Sequence, residues 1–380
     1  MNTSLFQELK ERAIDTQLCF FCGTCVAVCP ADCIVFKDNG PELDGECTDC
    51  GQCLETCPGL GAPLQELDSL VFGRLKTEEE DQSGMGIFIK DRNLVSGDEE
   101  IFNCGYTGGK ITAILAYLLD KKEIDAAIIS SWGKTSPFNW LSWPMIAKSR
   151  DDLINGTGSK YVFSPNLIAL KEILDMKDID DVALVGLGCH IQGLRKLQYL
   201  GKTYSNLVKK VKYSFGLYCG APMKQKDDFL LHVAKLCEVS EQDIIQVDFR
   251  RVSMEFDVVY EVVLKDGRKV SKQMNIFELF QILPQYQCWK RCRLCTDYSA
   301  EYADISFGGA HVTSRTPAGE DIVKRAIDDG WLITPQQNTN SMIDNMVEEI
   351  DRSMVMMKKV KNKKRIFDYR AKGNPTPEYD

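Results

Sequence analysis

Histidine and long apolar segments are both scarce in this sequence. Only 3 of the 380 residues are histidine, against 16 cysteines, so metal chemistry is expected to use thiolates rather than imidazoles. Apolar runs such as 34–36 and 126–129 are far too short to cross a bilayer, so we expect a soluble protein that is not itself transmembrane. The first residues lack the apolar core of a signal peptide, which favours a reducing, cytoplasmic location and argues against disulfides.

Positive charge is also in deficit. Lysine and arginine number 46 against 55 acidic residues, which gives a formal net charge of -9. This balance excludes nucleic acid as the main partner, although residues 358–365 are locally basic. We expect that basic run to keep a C-terminal helix solvated or to dock it on an acidic partner.

Two copies of one cysteine spacing stand near the N-terminus. Each copy has the pattern C-x2-C-x2-C-x3-C-P of bacterial ferredoxins, in which three close thiolates bind one [4Fe-4S] cluster and the fourth binds the other. Disulfides and zinc are the alternatives, but paired zinc knuckles do not require a third cysteine and a fourth before proline, twice over. Cys33 lies outside the pattern and is expected to be a small buried filler. The predicted ligands are Cys19, Cys22, Cys25 and Cys57 for one cluster and Cys29, Cys47, Cys50 and Cys53 for the other.

Changes in composition divide the chain into three parts. Residues 1–72 form the cluster module, which has too few large apolar residues to fold without its metals. A large domain is predicted over 73–345, and a C-terminal helix and tail over 346–380. Within the second part, the acidic stretch 76–84 is expected to be an exposed linker or loop.

Predicted strands and helices alternate through the large domain. The apolar patterns predict an α/β domain with a parallel or mixed sheet, and Asp266-Gly267 lies between two alternating runs that predict an antiparallel hairpin laid onto it. Strands are expected at 86–91, 125–130, 181–187 and 212–218, and helices at 110–124, 152–155, 167–176 and 191–200.

A second set of thiols is scattered through the large domain. Cys189 and Cys219 each follow a predicted buried strand, where sheet ends bring side chains into a shared crevice. Cys292 and Cys295 form a ligand-like pair, with Cys288 one helical turn earlier. Four of these thiols could hold a third cluster; equally, the first two could be packed core thiols and the others a zinc knuckle, and spacing alone leaves both open.

A double glycine before a predicted helix is a candidate phosphate site. Gly108 and Gly109 allow close backbone approach, and the N–H groups of the first helical turn, from Lys110 onward, together with Thr112 suit an anion. The alternative is a simple turn, since a double glycine before a helix is often no more than that.

Several polar residues around an aromatic residue form a second candidate binding site for a nucleotide or flavin. Its alternative is a cap between a strand and a helix, because serine, proline and asparagine stand directly before the helical pattern. The residues are Lys160, Ser164, Pro165 and Asn166.

Several of these segments resemble one known family in order along the chain. GGKITAILAYLLDKKEIDAAII, SKYVFSPNLIALKEI, GLGCHIQGLRKLQ, FGLYCG and CRLCTDYSAEYADISFGG are similar to the beta subunit family of coenzyme F420-reducing hydrogenase, formate dehydrogenase and reduced-F420 dehydrogenase. The fusion to a two-cluster ferredoxin module resembles the electron-input subunit of the membrane-bound archaeal dehydrogenase. The family usually has proline directly before the cysteine at position 189, where this chain has Gly188.

The resemblance implies a fold and a set of cofactors. The fold is α+β: a small two-cluster ferredoxin module followed by an α/β flavin domain with a mixed sheet and a β-hairpin. The implied cofactors are FAD and a third [4Fe-4S] cluster, with coenzyme F420 as substrate in the energy metabolism of methanogens. Cys288 is then a spare or substitute ligand, and Cys104 and Cys237 are structural thiols. The implied ligands of the third cluster are Cys189, Cys219, Cys292 and Cys295.

The function that fits these expectations is that of an oxidoreductase subunit. Such a subunit exchanges hydride between coenzyme F420 and FAD and passes single electrons to or from a partner. Expected partners are ferredoxin or a hydrogenase, formate dehydrogenase, heterodisulfide reductase or membrane dehydrogenase complex, which would make the protein cytoplasmic or peripheral to a membrane complex. The alternatives are a ferredoxin-dependent reductase of the same framework with another substrate, and a non-catalytic electron carrier. No acid, base or nucleophile is required, and His190 is a weak candidate for a proton donor.

Overall fold

The computed structural model describes most of the chain. Cys288, predicted to be the spare ligand, lies outside the described residues. Those residues are 4–37, 40–105, 107–132, 142–160, 162–220, 226–251, 257–275, 278, 289–309, 311–335, 349 and 352–379.

The N-terminal module consists of short elements around the cysteines. Its interior combines Phe6, Leu9 and Ala13 with cysteine side chains, so thiols replace the large apolar residues that the sequence lacks here. β1 and β2 pair antiparallel, with Ile34 opposite Leu43. The elements are α1 (Leu5–Leu9), a π-helical turn (Lys10–Ile14), α2 (Thr24–Val28), β1 (Ile34–Lys37), β2 (Gly40–Leu43), α3 (Gln52–Glu55) and β3 (Gly61–Ala62).

Two helices connect the module to the large domain, α4 (Leu64–Phe72) and α5 (Glu78–Ser83). The stretch 76–84, expected to be an exposed linker or loop, is a mostly exposed connection but contains a helix. The Thr77 side chain accepts from the N–H of Glu80 and the Glu80 side chain accepts from the N–H of Thr77, which is a capping box, while Gly84 ends the helix in the left-handed conformation. The residues that define the two ends of this helix, Thr77, Glu80 and Gly84, can be recognised in the acidic sequence itself.

A seven-stranded mixed sheet forms the centre of the large domain. Its four central strands, β13, β9, β8 and β6, are parallel, and antiparallel strands flank them on both sides. The predicted strand at 86–91 begins later than expected, at Lys90. In sheet order the strands are β4 (Lys90–Asn93), β14 (His311–Ser314), β13 (Ile305–Gly308), β9 (Val211–Leu217), β8 (Val182–Leu187), β6 (Ala126–Ser131) and β7 (Trp143–Ala147).

Helices cover both faces of this sheet. Alternate residues of one strand face opposite sides: Ala183 and Val185 belong to one buried cluster, Val182 and Leu184 to the other. This double burial explains why the strands are nearly continuous apolar runs. The helices are α6 (Glu99–Cys104), α7 (Lys110–Asp120), α8 (Arg150–Asn155), α9 (Ala169–Asp175), α10 (Gly188–Leu200), α11 (Ser205–Val208) and α14 (Pro317–Asp328), with 3-10 turns at Asn166–Ile168 and Gly201–Thr203.

The hairpin predicted around Asp266-Gly267 is present, with Gly267 at a φ of +84°. It belongs to a separate three-stranded antiparallel sheet, and no described strand pair joins that sheet to the seven-stranded one. The expected placement of the hairpin on the large sheet is therefore wrong. This sheet comprises β10 (Ile244–Arg251), β11 (Asp257–Leu264) and β12 (Lys269–Asn275), preceded by α12 (Lys226–Cys237) and a 3-10 turn (Glu241–Asp243).

The C-terminal segment returns to the N-terminal module. β16 pairs in parallel with β3, Glu378 opposite Gly61, and only glycine fits there because a Cβ would lie 2.0 Å from the Glu378 oxygen. Among the described helices, none is long and apolar enough to cross a membrane. The remaining elements are β5 (Val95–Ser96) paired with β15 (Leu332–Ile333), α13 (Lys290–Arg293), a π-helical segment (Met356–Asn362), α15 (Lys363–Ala371) and β16 (Glu378–Tyr379).

Candidate functional site

The two N-terminal cysteine loops have the same backbone conformation. Phe21 and Asp49, two residues after the first cysteine of each copy, have φ values of +56° and +53°. Gly23 and Gly51 follow at +89° and +73° and begin α2 and α3. In each loop the second residue after the cysteine donates its N–H to that cysteine's sulfur at 3.4 Å. These turns direct backbone N–H groups toward sulfur, as the loop around a cluster requires.

The thiols of each predicted N-terminal ligand set lie close enough to affect one another. These sets are called here the first tetrad (Cys19, Cys22, Cys25 and Cys57) and the second tetrad (Cys29, Cys47, Cys50 and Cys53). Burial raises the pKa of Cys25 well above its usual value, and the neighbours that add to the rise include the other three members of the first tetrad. Burial also raises the pKa of Cys53 to about 12, reinforced by Cys47, Cys50 and Cys29.

A third group of thiols assembles at the edge of the seven-stranded sheet. This third tetrad comprises Cys189, Cys219, Cys292 and Cys295. Cys189 lies directly after β8 and Cys219 soon after β9, at the carboxyl ends of two adjacent parallel strands. Burial raises the pKa of Cys189 well above its usual value, and Cys219, Cys295 and Cys292 are among the neighbours that raise it further. Cys292 lies in α13 and Cys295 follows it, so three separate places in the chain meet here.

The donor sets fit iron–sulfur clusters better than single ions. No three described His, Cys, Asp or Glu side chains stand close enough to hold one metal ion. The four thiolates of a [4Fe-4S] cluster bind four different iron atoms and so stand farther apart than the ligands of a tetrahedral zinc. Thiols in groups of four, most of them buried or half-buried, match that chemistry. The ligand assignments remain predictions.

The C-terminal segment encloses the third tetrad. Asn362 donates its side-chain amide to the backbone oxygens of Cys292 at 3.1 Å and Cys295 at 2.8 Å. Lys358 is 1% exposed, and burial alone would lower its pKa, but Cys295 and Cys219 lead the neighbours that raise it. The expectation that residues 358–365 form a solvated run is therefore wrong for its first residues.

The cluster module docks on helices of the large domain. Lys196 of α10 donates to the backbone oxygen of Cys57 at 3.1 Å. Lys171 of α9 donates to the backbone oxygen of Cys29 at 2.7 Å. Because both lysines bind the backbone at ligand positions, the two predicted N-terminal clusters are fixed relative to the sheet.

A cavity of about 470 Å³ adjoins the third tetrad, and its lining includes Asp297 and Gln192. Burial raises the pKa of Asp297, and Gln192 donates to its carboxylate at 3.4 Å. A Cβ at position 188 would lie 2.4 Å from that carboxylate. The family that this chain resembles usually has proline at position 188. Glycine has no side chain there and so leaves room for the Asp297 carboxylate.

The other thiols are not part of a tetrad. Cys33 is buried, as expected of a filler, but its sulfur lies 3.5 Å from that of Cys29. Cys237 is buried in α12, and Cys104 is half-buried at the end of α6.

The double glycine forms the turn before α7. Gly108 and Gly109 have φ values of +78° and +65°, and no side chain caps the first turn of this 11-residue helix. Lys110 is 2% exposed, and its ammonium donates to the backbone oxygens of Gly308, at 3.4 Å, and Gly309. Thr112, the last member of this predicted site, lies in the same turn of α7.

The backbone at Gly109 has no room for a side chain, since a Cβ would lie 2.2 Å from the Ile101 carbonyl oxygen. We expect Gly109→Ala to reduce the free energy of unfolding by about 2–4 kcal/mol, from the left-handed conformation and the steric overlap together. Gly73 is the matched control, because it has nearly the same dihedrals, φ 68° and ψ 10°. A Cβ added to Gly73 would meet no atom within 4 Å beyond its chain neighbours. Gly73→Ala should cost only about 1 kcal/mol in chemical denaturation, and equal losses would contradict a role for the Ile101 contact.

The second predicted polar group serves mainly internal contacts. The Lys160 ammonium donates to the backbone oxygen of Gly156 at 2.9 Å, at the end of α8. Ser164 donates to the Asn166 side-chain oxygen at 2.6 Å, and Asn166 donates to the Val185 carbonyl at 2.8 Å. Pro165 precedes the 3-10 turn without a side-chain cap, so these residues connect the turn to β8 rather than cap a helix.

His190 lies next to the third tetrad with both ring nitrogens engaged. Its Nδ1 accepts from the Leu187 N–H at 2.9 Å, so Nε2 carries the proton and donates to the Ser164 carbonyl at 2.8 Å. Burial lowers its pKa to about 4. The ring is a neutral connection between β8 and the turn at Ser164, which favours the structural interpretation over a proton donor.

The sequence reasoning missed the buried polar residues around the thiols. Lys358 and Asn362 stand in a basic stretch that gave no signal of burial, and Arg291 stands between two predicted ligand positions. Arg291 is 0% exposed. The one sequence signal that could have identified Arg291 as a residue of the site is its position directly before Cys292.

Comparisons with known proteins match three parts of the chain. Two parts of the chain match the family described as coenzyme F420 hydrogenase/dehydrogenase, beta subunit: residues 95–171 match its N-terminal part and residues 179–339 its C-terminal part. Residues 12–58 match the 4Fe-4S dicluster domain.

Individual proteins resemble the chain over most of its length. It is 28% identical over 305 residues to the coenzyme F420 hydrogenase subunit beta of Methanothermobacter thermautotrophicus, covering 77% of this chain and 99% of that protein. It is also 28% identical over 335 residues, 83% of this chain, to the coenzyme F420-dependent sulfite reductase of Methanocaldococcus jannaschii, of which it spans only 47%.

A solved structure has the same fold. A chain of the F420-reducing [NiFe] hydrogenase complex from Methanosarcina barkeri superposes with a TM-score of 0.59 at 24% identity, covering 77% of this chain and 96% of that one.

Proposed function

Because the chain belongs to the coenzyme F420 hydrogenase/dehydrogenase beta subunit family and carries a 4Fe-4S dicluster domain, we propose that it is an iron–sulfur flavoprotein subunit. It exchanges hydride between coenzyme F420 and FAD and passes single electrons through three [4Fe-4S] clusters. The electrons go to or come from a partner subunit or ferredoxin.

The arrangement of the three tetrads is the observation that carries this proposal. The second tetrad is the most accessible, since Cys50 is exposed and Cys47 half-buried. Cys22 of the first tetrad packs in the same apolar cluster as Cys189 and Cys295 of the third. The second tetrad is therefore the one with a thiol at the surface, and the first tetrad adjoins the third. The third tetrad lies at the carboxyl ends of β8 and β9, where α/β sheets bind ligands.

The N-terminus of α7 is the proposed phosphate site for FAD. Its first-turn N–H groups have no side-chain cap, and the turn at Gly108 and Gly109 leads directly into them. Lys110, held by the backbone at the end of β13, adds a positive charge nearby. When bound, the flavin supplies the conversion between hydride pairs and single electrons that an iron–sulfur cluster cannot perform. Lys160, Ser164 and Asn166 make hydrogen bonds within the polypeptide. We therefore assign them a structural role in this region rather than direct contact with the flavin.

Electron exchange with the partner is proposed at the surface of the second tetrad. Asp49 is exposed beside Cys47, and its carboxylate accepts the Leu5 N–H at 2.9 Å. The sequence has no motif for activation of hydrogen, formate or sulfite, so that chemistry belongs to another subunit or domain. The sulfite reductase relative, of which this chain spans about half, is consistent with such a division.

Anaerobic titration of the flavin-loaded, iron-loaded protein with reduced coenzyme F420 tests the proposal. We expect the absorbance of both FAD and the clusters to bleach, because hydride from the coenzyme reduces the flavin and electrons then distribute over the clusters. Reduced nicotinamide at the same concentration is the control and should bleach far less.

The alternatives give different results in the same titration. If flavin is present but reduced coenzyme F420 changes nothing, the proposal fails in favour of a ferredoxin-dependent reductase acting on another substrate. If the purified protein retains no flavin even after incubation with FAD, the large domain only holds clusters and the chain is an electron carrier.

A further inference from the structure

Arg291 is a buried cation in the interior of the protein. Its side chain is 0% exposed, and none of its three guanidinium nitrogens makes a well-formed hydrogen bond to a described residue, although the adjacent Cys292 thiol interacts with it. An unpaired buried charge is costly, so a residue of this kind requires a negative group that the polypeptide alone does not supply.

Three aromatic rings enclose the guanidinium. Its central carbon lies 3.8 Å from the ring centre of Trp289, 4.0 Å from that of Phe163 and 4.4 Å from that of Phe21. Aromatic faces attract a cation and exclude water from it. The charge is therefore fixed in position and weakly screened, so it acts strongly on any charge nearby.

The same aromatic group lies between the first and third tetrads. Cys19 of the first tetrad and Cys292 of the third both pack against it, together with Trp289. Cys292, Cys19 and Cys189 are also the thiols that interact most strongly with the Arg291 charge. Both tetrads thus share one cation, while no member of the second tetrad is among these neighbours.

We infer that Arg291 sets the reduction potentials of the first and third clusters together, as a fixed positive charge between them. The inference rests on the proposed function, because it requires clusters at both tetrads. Each cluster gains one electron and no proton on reduction, and its negative charge increases by one unit. A nearby cation stabilises the reduced form, which raises both potentials.

Lys358 provides a comparison within the same protein. It is also buried, but its thiol neighbours are Cys295, Cys219 and Cys292, all of the third tetrad. Loss of its charge is therefore expected to affect the third cluster and to leave the first unchanged.

The test is an anaerobic potentiometric titration followed by electron paramagnetic resonance, on the full-length, iron-loaded protein. In Arg291→Met the reduction equilibrium constants of the first and third clusters should each fall at least tenfold, a decrease of about 59 mV for one electron. Arg291→Lys, which retains the charge, should recover most of both potentials. Lys358→Met should lower only the third. Each signal is assigned by its absence from Cys292→Ala, which lacks the third cluster, and from Cys47→Ala, which lacks the second.

Unchanged potentials in Arg291→Met, or equal losses in Arg291→Met and Arg291→Lys, would overturn the inference. If Arg291→Met does not retain iron, Arg291→Gln replaces it under the same criteria. Iron content and coenzyme F420 bleaching of the unmodified protein are measured first. A missing third cluster there would count against the proposed function, whereas intact clusters with unmoved potentials would count against the role of Arg291 alone.

Discussion

Replacing Cys292 with alanine is expected to remove roughly four of roughly twelve iron atoms per chain, since each cluster holds four. The reason is geometric: Cys292 is the tetrad member in α13, and the other three members, Cys189, Cys219 and Cys295, each bind another iron in the predicted cluster, so one iron loses its thiolate. The first and second tetrads share no residue with it. Their iron and their electron paramagnetic resonance signals should persist in the variant.

The control for this loss is Cys237→Ala. Cys237 is also a buried cysteine, 6% exposed, but it lies in α12 outside the three tetrads. Its replacement should leave the iron content unchanged. Full iron content in Cys292→Ala would refute the assignment of the third cluster, and a loss of all iron would show that the three sites assemble as one unit.

The second large effect is expected at Glu301, which joins three distant parts of the chain. Its carboxylate, 3% exposed, contacts the ammonium of Lys76 at 2.8 Å and that of Lys359. Lys76 precedes α5, and Lys359 belongs to the C-terminal π-helical segment. Glu301→Gln leaves two buried ammonium groups without their shared carboxylate, so the free energy of unfolding should fall by about 3–5 kcal/mol in chemical denaturation.

This contribution should depend on pH in a defined direction. Burial alone would raise the pKa of Glu301, but Lys359 and Lys76 outweigh it and lower the pKa from 4.5 to about 2. A carboxyl group with a lowered pKa stabilises the folded state above its unfolded pKa. The stability difference between the original protein and Glu301→Gln should therefore be full above pH 4.5 and narrow as the pH falls from there toward 2.

Glu80→Gln is the matched control, because Glu80 pairs with Arg74 close to the same connection. That pair is largely exposed, with side-chain exposures of 26% and 48%. Glutamine also preserves the capping box of α5. Its loss of stability should stay below about 1 kcal/mol, and a cost equal to that of Glu301→Gln would contradict the importance of burial.

Local patterns in the sequence predicted many of the elements. The helices at α7 and α10 and the strands at β6, β8 and β9 lie close to their expected bounds, since each has an apolar pattern within a few residues. The helix α5 was missed, although the capping box between Thr77 and Glu80 was readable. The prediction of a loop followed from the acidic composition of this stretch, whereas the capping box depends only on the few residues from Thr77 to Glu80.

Interactions between distant segments were less predictable. The hairpin at Asp266-Gly267 was foreseen, but not its separate three-stranded sheet, because strand pairing beyond a turn depends on contacts far along the chain. The burial of Lys358 was likewise unforeseen. A lysine in a basic run is ordinarily solvated, and only the thiols that fold against it make its burial tolerable.

By itself, the sequence predicted the two N-terminal cysteine groups, because the spacing of three cysteines in each short loop is a local pattern and the ferredoxin motif assigns the fourth to the other group. It also determined the alternation of strands and helices. Residue patterns alone left open whether Cys189 and Cys219 meet Cys292 and Cys295, as the family resemblance implied. The tertiary structure brings these thiols together, packs Cys22 of the first tetrad in the same apolar cluster and places Arg291 at the junction. Such proximities arise from sheet order and helix docking, which bring together residues that no local pattern connects.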